Sequence, residues 1–293
     1  MFSSYQEGLL VLLGINVLTA FSVYSPLATG QLSLGNAGFM AIGAYISAIL
    51  TLNFGVGLQA ALILGGLSAG VSGVLVGFPA LRLRGVFLAM ATLAFGEVVR
   101  TIFLNLSYTG GAYGLRGMMG TTLPMVWLWV LAVTLFFFLL MRSPFGLNIH
   151  ATHDDEEVGE LTGINVTRVK VGAFGIGAFI AGVAGGLYAH YLLYIEPSLF
   201  GFLESIYMLL YVILGGMTTF WGCLVGAAVF TLLPEYLRFL ERWRGAFFGA
   251  IIVLMMILRP QGLLTRELLR LLTNRRGPTQ PEEVPARVQE VGE

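Results

Sequence analysis

Gly8–Gly30 reads GLLVLLGINVLTAFSVYSPLATG, a run without a single acid or base. A helix needs about 20 apolar residues to cross the hydrocarbon core of a bilayer, and this run supplies them. The same character extends in both directions. From Met1 to Leu81 there is no Lys or Arg, and Glu7 is the only acid. A water-facing domain is not built from such a stretch. Over all 293 residues, 57% are hydrophobic and 11% charged, more apolar surface than a soluble core can bury. The fold class is therefore all-α, a polytopic transmembrane helical bundle.

Spans are expected near 8–30, 33–52, 58–80, 85–106, 123–141, 171–194, 203–217, 219–237 and 245–259. That makes about nine crossings, with eight to ten compatible with the pattern. The 203–217 and 245–259 segments are short, and Gly215-Gly216 marks a candidate break in a bent or re-entrant element. Basic residues mark the cytoplasmic face. Arg82 and Arg84 share one short loop, and Arg142, Arg168 and Lys170 flank another. Arg259, Arg266, Arg270, Arg275 and Arg276 follow the last span. Nine alternating crossings put all three groups on one side, so the N-terminus is expected outside and the C-terminus in the cytoplasm. Arg238, Arg242 and Arg244 dissent, falling on the outer side, where Glu235 and Glu241 are spaced to pair with them. Residues 1–273 then form the membrane domain, and the proline- and charge-rich stretch 274–293 a disordered cytoplasmic tail.

The 39 glycines support this reading. In water a glycine inside a helix costs about 1 kcal/mol against alanine. In lipid it lets helix backbones approach closely. Gly66/Gly70, Gly73/Gly77 and Gly182/Gly186 have small-xxx-small spacing, and helix packing is their expected role. Cys223 stands alone, which leaves no disulfide framework and no cysteine-based metal site. The first segment lacks the basic region of a cleavable signal and is expected to stay in the protein. No basic patch interleaved with aromatics points to nucleic acid.

One charged island interrupts the oily sequence. Arg142–Lys170 reads RSPFGLNIHATHDDEEVGELTGINVTRVK. An acidic, helix-forming loop on one face of a membrane protein is a docking element. His150 and His153 have a spacing that permits two metal ligands, but an acidic surface loop has the same composition, and no metal is expected. No Walker A sequence occurs, and Gly172-Ala-Phe-Gly175-Ile-Gly177 only mimics a dinucleotide fingerprint from within a span. No nucleophile–base pairing suggests an enzyme.

Charges inside spans are costly, so each is a functional candidate. Glu97 and Arg100, in AMATLAFGEVVRTIF, lie three apart on one helix face. Either they neutralise one another near the outer end of the helix, or they line a solute path. A zwitterion would find both charges useful there. Gln31, Ser33 and Asn36 lie in GQLSLGNAGFMAIGAY, where Ser33 or Asn36 is placed to cap a helix start. A broken helix whose N-terminus faces a carboxylate is a transporter device, and a capped surface turn fits equally. These five residues form the candidate translocation path. Glu196 and Glu204, around Pro197, are expected to be solvated in an outer loop, and His190 to be a satisfied interfacial histidine.

Six phrases occur in order: GQLSLGNAGFMAIGAY, LRLRGVFLAMATLAFGEVVR, TGGAYGL, EEVGELTGIN, ESIYMLLYVILGGMTTFWGCLVGA and LRPQGLL. Together they make the chain resemble the LivM-type permease subunit of branched-chain amino acid ABC importers, from about Thr29 to Leu264. The LRLRG…TLAFGEVVR block favours the LivM type over its LivH-type partner. Glu157-Val-Gly-Glu-Leu-Thr-Gly163 approximates the E-A-A-x-x-x-G element by which such permeases grip their ATPase. Val158 and Gly159 replace the usual alanines, and Asn36 stands where the family commonly has His. The resemblance implies a transmembrane permease domain with a cytoplasmic ATPase-coupling loop at about 142–170, carried by Glu156, Glu157, Gly159 and Gly163. It implies ATP-driven import of branched-chain, hydrophobic amino acids across the cytoplasmic (inner) membrane of a prokaryote. It implies no ATPase site and no cofactor on this chain, since ATP is bound by two cytoplasmic ATPases of the LivG and LivF kind. A LivH-like permease and an external solute-binding protein complete the set. A related urea or short-amide importer is the alternative within the superfamily, and an ATPase-independent secondary transporter or channel the alternative outside it.

Overall fold

Where the sequence is apolar it folds into helices, because in lipid each backbone N–H and C=O must find its partner within the protein. The computed structural model describes residues 4–80, 83–236, 249–250, 253 and 262–264. Among the described residues ten α-helices run in order: α1 (Ser4–Leu27), α2 (Asn36–Phe54), α3 (Leu58–Ala80), α4 (Val86–Asn105), α5 (Leu123–Arg142), α6 (Pro144–Asp154), α7 (Glu156–Leu161), α8 (Val166–Leu192), α9 (Phe202–Gly215) and α10 (Trp221–Tyr236). Two short strands, β1 (Leu115–Arg116) and β2 (Tyr194–Ile195), complete the inventory of the described residues apart from single 3-10 turns.

Among the described residues six helices, α1–α5 and α8, are long and apolar enough to cross a membrane. α9, at 14 residues, reaches only about 21 Å at 1.5 Å per residue, short of the ~30 Å hydrocarbon core, and α10 is described over 16 residues, about 24 Å, as far as Tyr236. The expected 203–217 span thus ends early: Gly216, at φ +117°, terminates α9 and turns the chain back into α10. Residues 262–264 return to that turn, where the N–H groups of Leu263 and Leu264 donate to the carbonyls of Leu214 and Gly215. Of the expected span 245–259 only residues 249, 250 and 253 are described, each helical, and the Arg238, Arg242 and Arg244 cluster and the 274–293 tail fall outside the described residues. So do Arg82 and the basic residues from Arg259 to Arg276.

α8 lies at the centre, packed against α1, α2 and α3. All six glycines expected at packing positions sit on the α3–α8 seam. A Cβ on Gly66 would meet Val183, one on Gly73 would meet Ala178, and one on Gly186 would press Leu62. α2 also packs tightly against α8, where a side chain on Gly43 would overlap the Gly182 backbone. α4 and α5 are peripheral, with most of their surface turned outward.

Two contacts fix which loops share a face. Arg84, in the α3–α4 turn, lies 3.9 Å from Glu156 at the start of α7. The α3–α4 turn and the charged island are therefore on one side. On the other, β1 pairs antiparallel with β2 (Leu115 with Ile195, Arg116 with Tyr194), and Arg116 lies 4.9 Å from the centre of the Tyr194 ring.

Candidate functional site

The island folds as two helices set end to end. Ser143 caps α6, its hydroxyl accepting from the Gly146 N–H. Asp155 caps α7: its Oδ1 accepts from the N–H groups of Glu157 (2.9 Å) and Val158 (3.2 Å). α7 closes at Gly163, in the left-handed region at φ +85°. There the Ile164 N–H donates to the Gly159 carbonyl and the Gly163 N–H to that of Glu160, the paired bonds of a glycine-ended helix stop.

Among the four expected coupling residues, the structure separates inner from outer. Glu157 and Gly163 are exposed, while Gly159 is buried, with room for a Cβ only at ordinary contact distance from Val166. Glu156 faces inward. Its carboxylate accepts from the Lys170 ammonium and approaches Arg84. Lys170, read from the sequence as a flanking loop charge, is buried inside α8, which starts five residues before the expected span. The outward side of α7 instead presents Val158, 54% exposed, and Leu161, 87% exposed.

The second cluster surrounds the break between α1 and α2. Ser33 Oγ donates to Asn36 Oδ1 (3.1 Å), and Asn36 Nδ2 donates to Ser22 Oγ on α1 (3.0 Å). Ser33 also accepts from the Gly35 N–H, and Thr29 Oγ1 donates to Gln31 Oε1. All are buried, so Ser33 and Asn36 hold the break closed from within. Gln31 Nε2 is buried without a partner among the described residues. Neither Ser33 nor Asn36 caps α2. Gly35 is the N-cap, and the hydroxyl of Ser205, on α9, accepts from the Ala37 N–H at 3.4 Å. Thr92 on α4 takes the Leu34 N–H at 3.0 Å. Gly38 packs against the Gly96 backbone, so α2 begins between about 9 and 15 Å along α4. The break thus runs from exposed Gly30, beside His153 of α6, to an α2 start set well along α4.

Beside it lie Glu97 and Arg100. Arg100 Nε donates to Glu97 Oε2 at 2.8 Å. Glu97 stands about 16 Å along a helix of about 30 Å, near its middle rather than its outer end. The two side chains remain 38% and 35% exposed. They line a recess of about 370 Å³ with Ser198, Leu199, Phe202, Leu203 and Glu204. Glu204 is thus no solvated loop residue; it belongs to the first turn of α9 and meets α4 across the recess. Glu196 does lie in the loop, where the hydroxyls of Ser198 and Tyr194 donate to it and hold its carboxyl below the usual carboxylate range.

Sequence reading missed Thr92, Ser205 and Glu204 as parts of one cluster, because Thr92 comes from α4 and the other two from the first turn of α9, more than a hundred residues later. Elsewhere, His190 is satisfied as expected, its Nδ1 against the Gly186 carbonyl and its Nε2 against the Thr51 hydroxyl. His150, His153 and Asp154 border a small recess beside Tyr24 and Thr218. Among the described residues no group of three His, Cys, Asp or Glu is placed to hold a metal ion.

A buried polar break, a half-exposed intramembrane ion pair and a capped external helix together describe a transport protein. The family model described as branched-chain amino acid transport system / permease component matches residues 5–257. The chain belongs to that family. It is 36% identical to the high-affinity branched-chain amino acid transport system permease protein LivM of Salmonella typhimurium and to that of Escherichia coli, over 88% of this chain and 68% of each relative. LivH of Salmonella typhimurium is 29% identical over 47% of this chain and 44% of its own length. The stronger, longer match to LivM agrees with the block LRLRG…TLAFGEVVR. No solved structure gives a significant match.

Proposed function

We propose that this chain is the LivM-like permease subunit of an ATP-driven importer of branched-chain amino acids in the inner membrane of a prokaryote. The observation that carries the reading is α7. It is capped at both ends, anchored inward through Glu156, and turns two apolar side chains, Val158 and Leu161, into water. Exposed apolar groups on a rigid helix amid acidic loop residues are the face of a docking contact. In this reading α7 sits in a groove of a cytoplasmic ATPase, with Glu157 at its rim and Gly163 shaping its end. Two such ATPases bind the ATP; this chain contributes no nucleotide site. A LivH-like permease sits across the path, and an external solute-binding protein delivers the amino acid to the β1–β2 face. The island face is then cytoplasmic and the N-terminus outside, in keeping with the basic residues Arg84, Arg142 and Arg168.

Glu97 and Arg100 line the path at the surface this subunit offers its partner. A charge at the centre of a lipid-facing helix costs about 2.5–3.5 kcal/mol, so their exposed face does not meet hydrocarbon. Gln31, Ser33 and Asn36 shape the break behind them. Purification of the tagged chain in mild detergent should recover two ATPases and a second permease. With the binding protein, the reconstituted complex should take up leucine, isoleucine or valine only when ATP is supplied. A chain that purifies alone and transports without ATP would overturn the assignment.

A further inference from the structure

The recess between α4 and α9 brings together one cation and two carboxylates from helices about a hundred residues apart in sequence. Arg100 and Glu97 pair on α4, and Glu204 closes the recess from α9. The Glu204 carboxylate makes no hydrogen bond or ion pair among the described residues. Leu199, Phe202 and Leu203 supply an apolar wall. At about 370 Å³ the space falls within the range of small-molecule sites, roughly 300–1,000 Å³. The neighbouring Ser205 accepts from the first turn of α2, so the recess abuts the polar break.

We infer that this recess is a transit site for the head group of a free α-amino acid, an inference that rests on the importer reading above. Arg100 receives the α-carboxylate. Glu204 receives the α-ammonium, and Glu97, released from Arg100 by the arriving carboxylate, joins it. The apolar wall takes the side chain. When the solute leaves, Glu97 and Arg100 neutralise one another again, so Arg100 is not left bare between cycles. The charge pattern explains why the site needs a third charged residue: the pair alone is self-satisfied, and only Glu204 gives the ammonium an uncommitted partner. Each exchanged contact is a charge-assisted hydrogen bond between ionised groups.

The test uses the complete importer in proteoliposomes, with both ATPases, the second permease and the binding protein. Leucine uptake and ATP hydrolysis are measured together for wild type, Glu204→Gln and Glu204→Asp. Glu204→Gln keeps the shape and removes the charge. Uptake should fall roughly ten- to hundredfold while subunit composition and stimulated ATP hydrolysis persist, and Glu204→Asp should restore part of the loss. Wild-type uptake in an assembled Glu204→Gln complex would overturn the site. So would loss of the second permease from that complex, which would make the recess an interface between permeases. If the wild-type complex itself moves no leucine, the importer reading fails first, and the two failures are distinct.

Discussion

Gly163 and Gly182 both resist substitution, but for opposite reasons. At Gly182 the obstacle is space, since a Cβ would sit 2.6 Å from that of Ala69. At Gly163 nothing lies within 4 Å of where a Cβ would stand, and the obstacle is the backbone at φ +85°. A β-branched residue in that conformation costs about 1–2 kcal/mol, whereas asparagine tolerates it. Gly163→Val should therefore lower uptake severalfold by misdirecting the end of α7, with membrane insertion and pairing of the permeases intact. Gly163→Asn should retain most activity. Uptake equal to wild type in Gly163→Val would count strongly against docking through this turn.

The helices themselves follow from apolar length. The start of α3 was legible from the sequence, and α2, α4 and α5 to within a few residues, because about 20 uncharged residues have few other places to go. Pairings across elements were not legible. Glu156 and Lys170 are fourteen residues apart, but the left-handed turn at Gly163 separates them, so no helical spacing links them in the sequence. The recess likewise joins Glu97 to Glu204 only through the packing of α4 and α9 around the start of α2. The α7–α8 connection has its own prediction. Glu156→Lys leaves buried Lys170 facing a like charge, costing about 1–3 kcal/mol given that Glu156 is partly exposed. The apparent melting temperature in detergent should drop by several degrees and largely recover in the Glu156→Lys/Lys170→Glu double variant. A double variant no more stable than the single one would show that the ion pair does not anchor α7.

Across the whole molecule, the two faces carry different architecture: a capped helical island on one, a two-stranded clasp on the other. Their assignment to cytoplasm and exterior is open to direct labelling, since Cys223 is buried and leaves a silent background. In membranes stripped of the ATPases, a membrane-impermeant thiol reagent should modify Leu161→Cys only from the cytoplasmic side and Ser198→Cys only from outside. The reverse pattern would invert the topology, and with it the direction of transport. The glycine seams give the arrangement a mechanical meaning. Where Gly43 crosses Gly182, and Gly185 meets the Met40 carbonyl, backbone rests on backbone with no side chain between them. In the importer reading, α8 serves as a pushrod: gripped at Lys170 by the island, it carries a displacement of the island to α2 and its polar break.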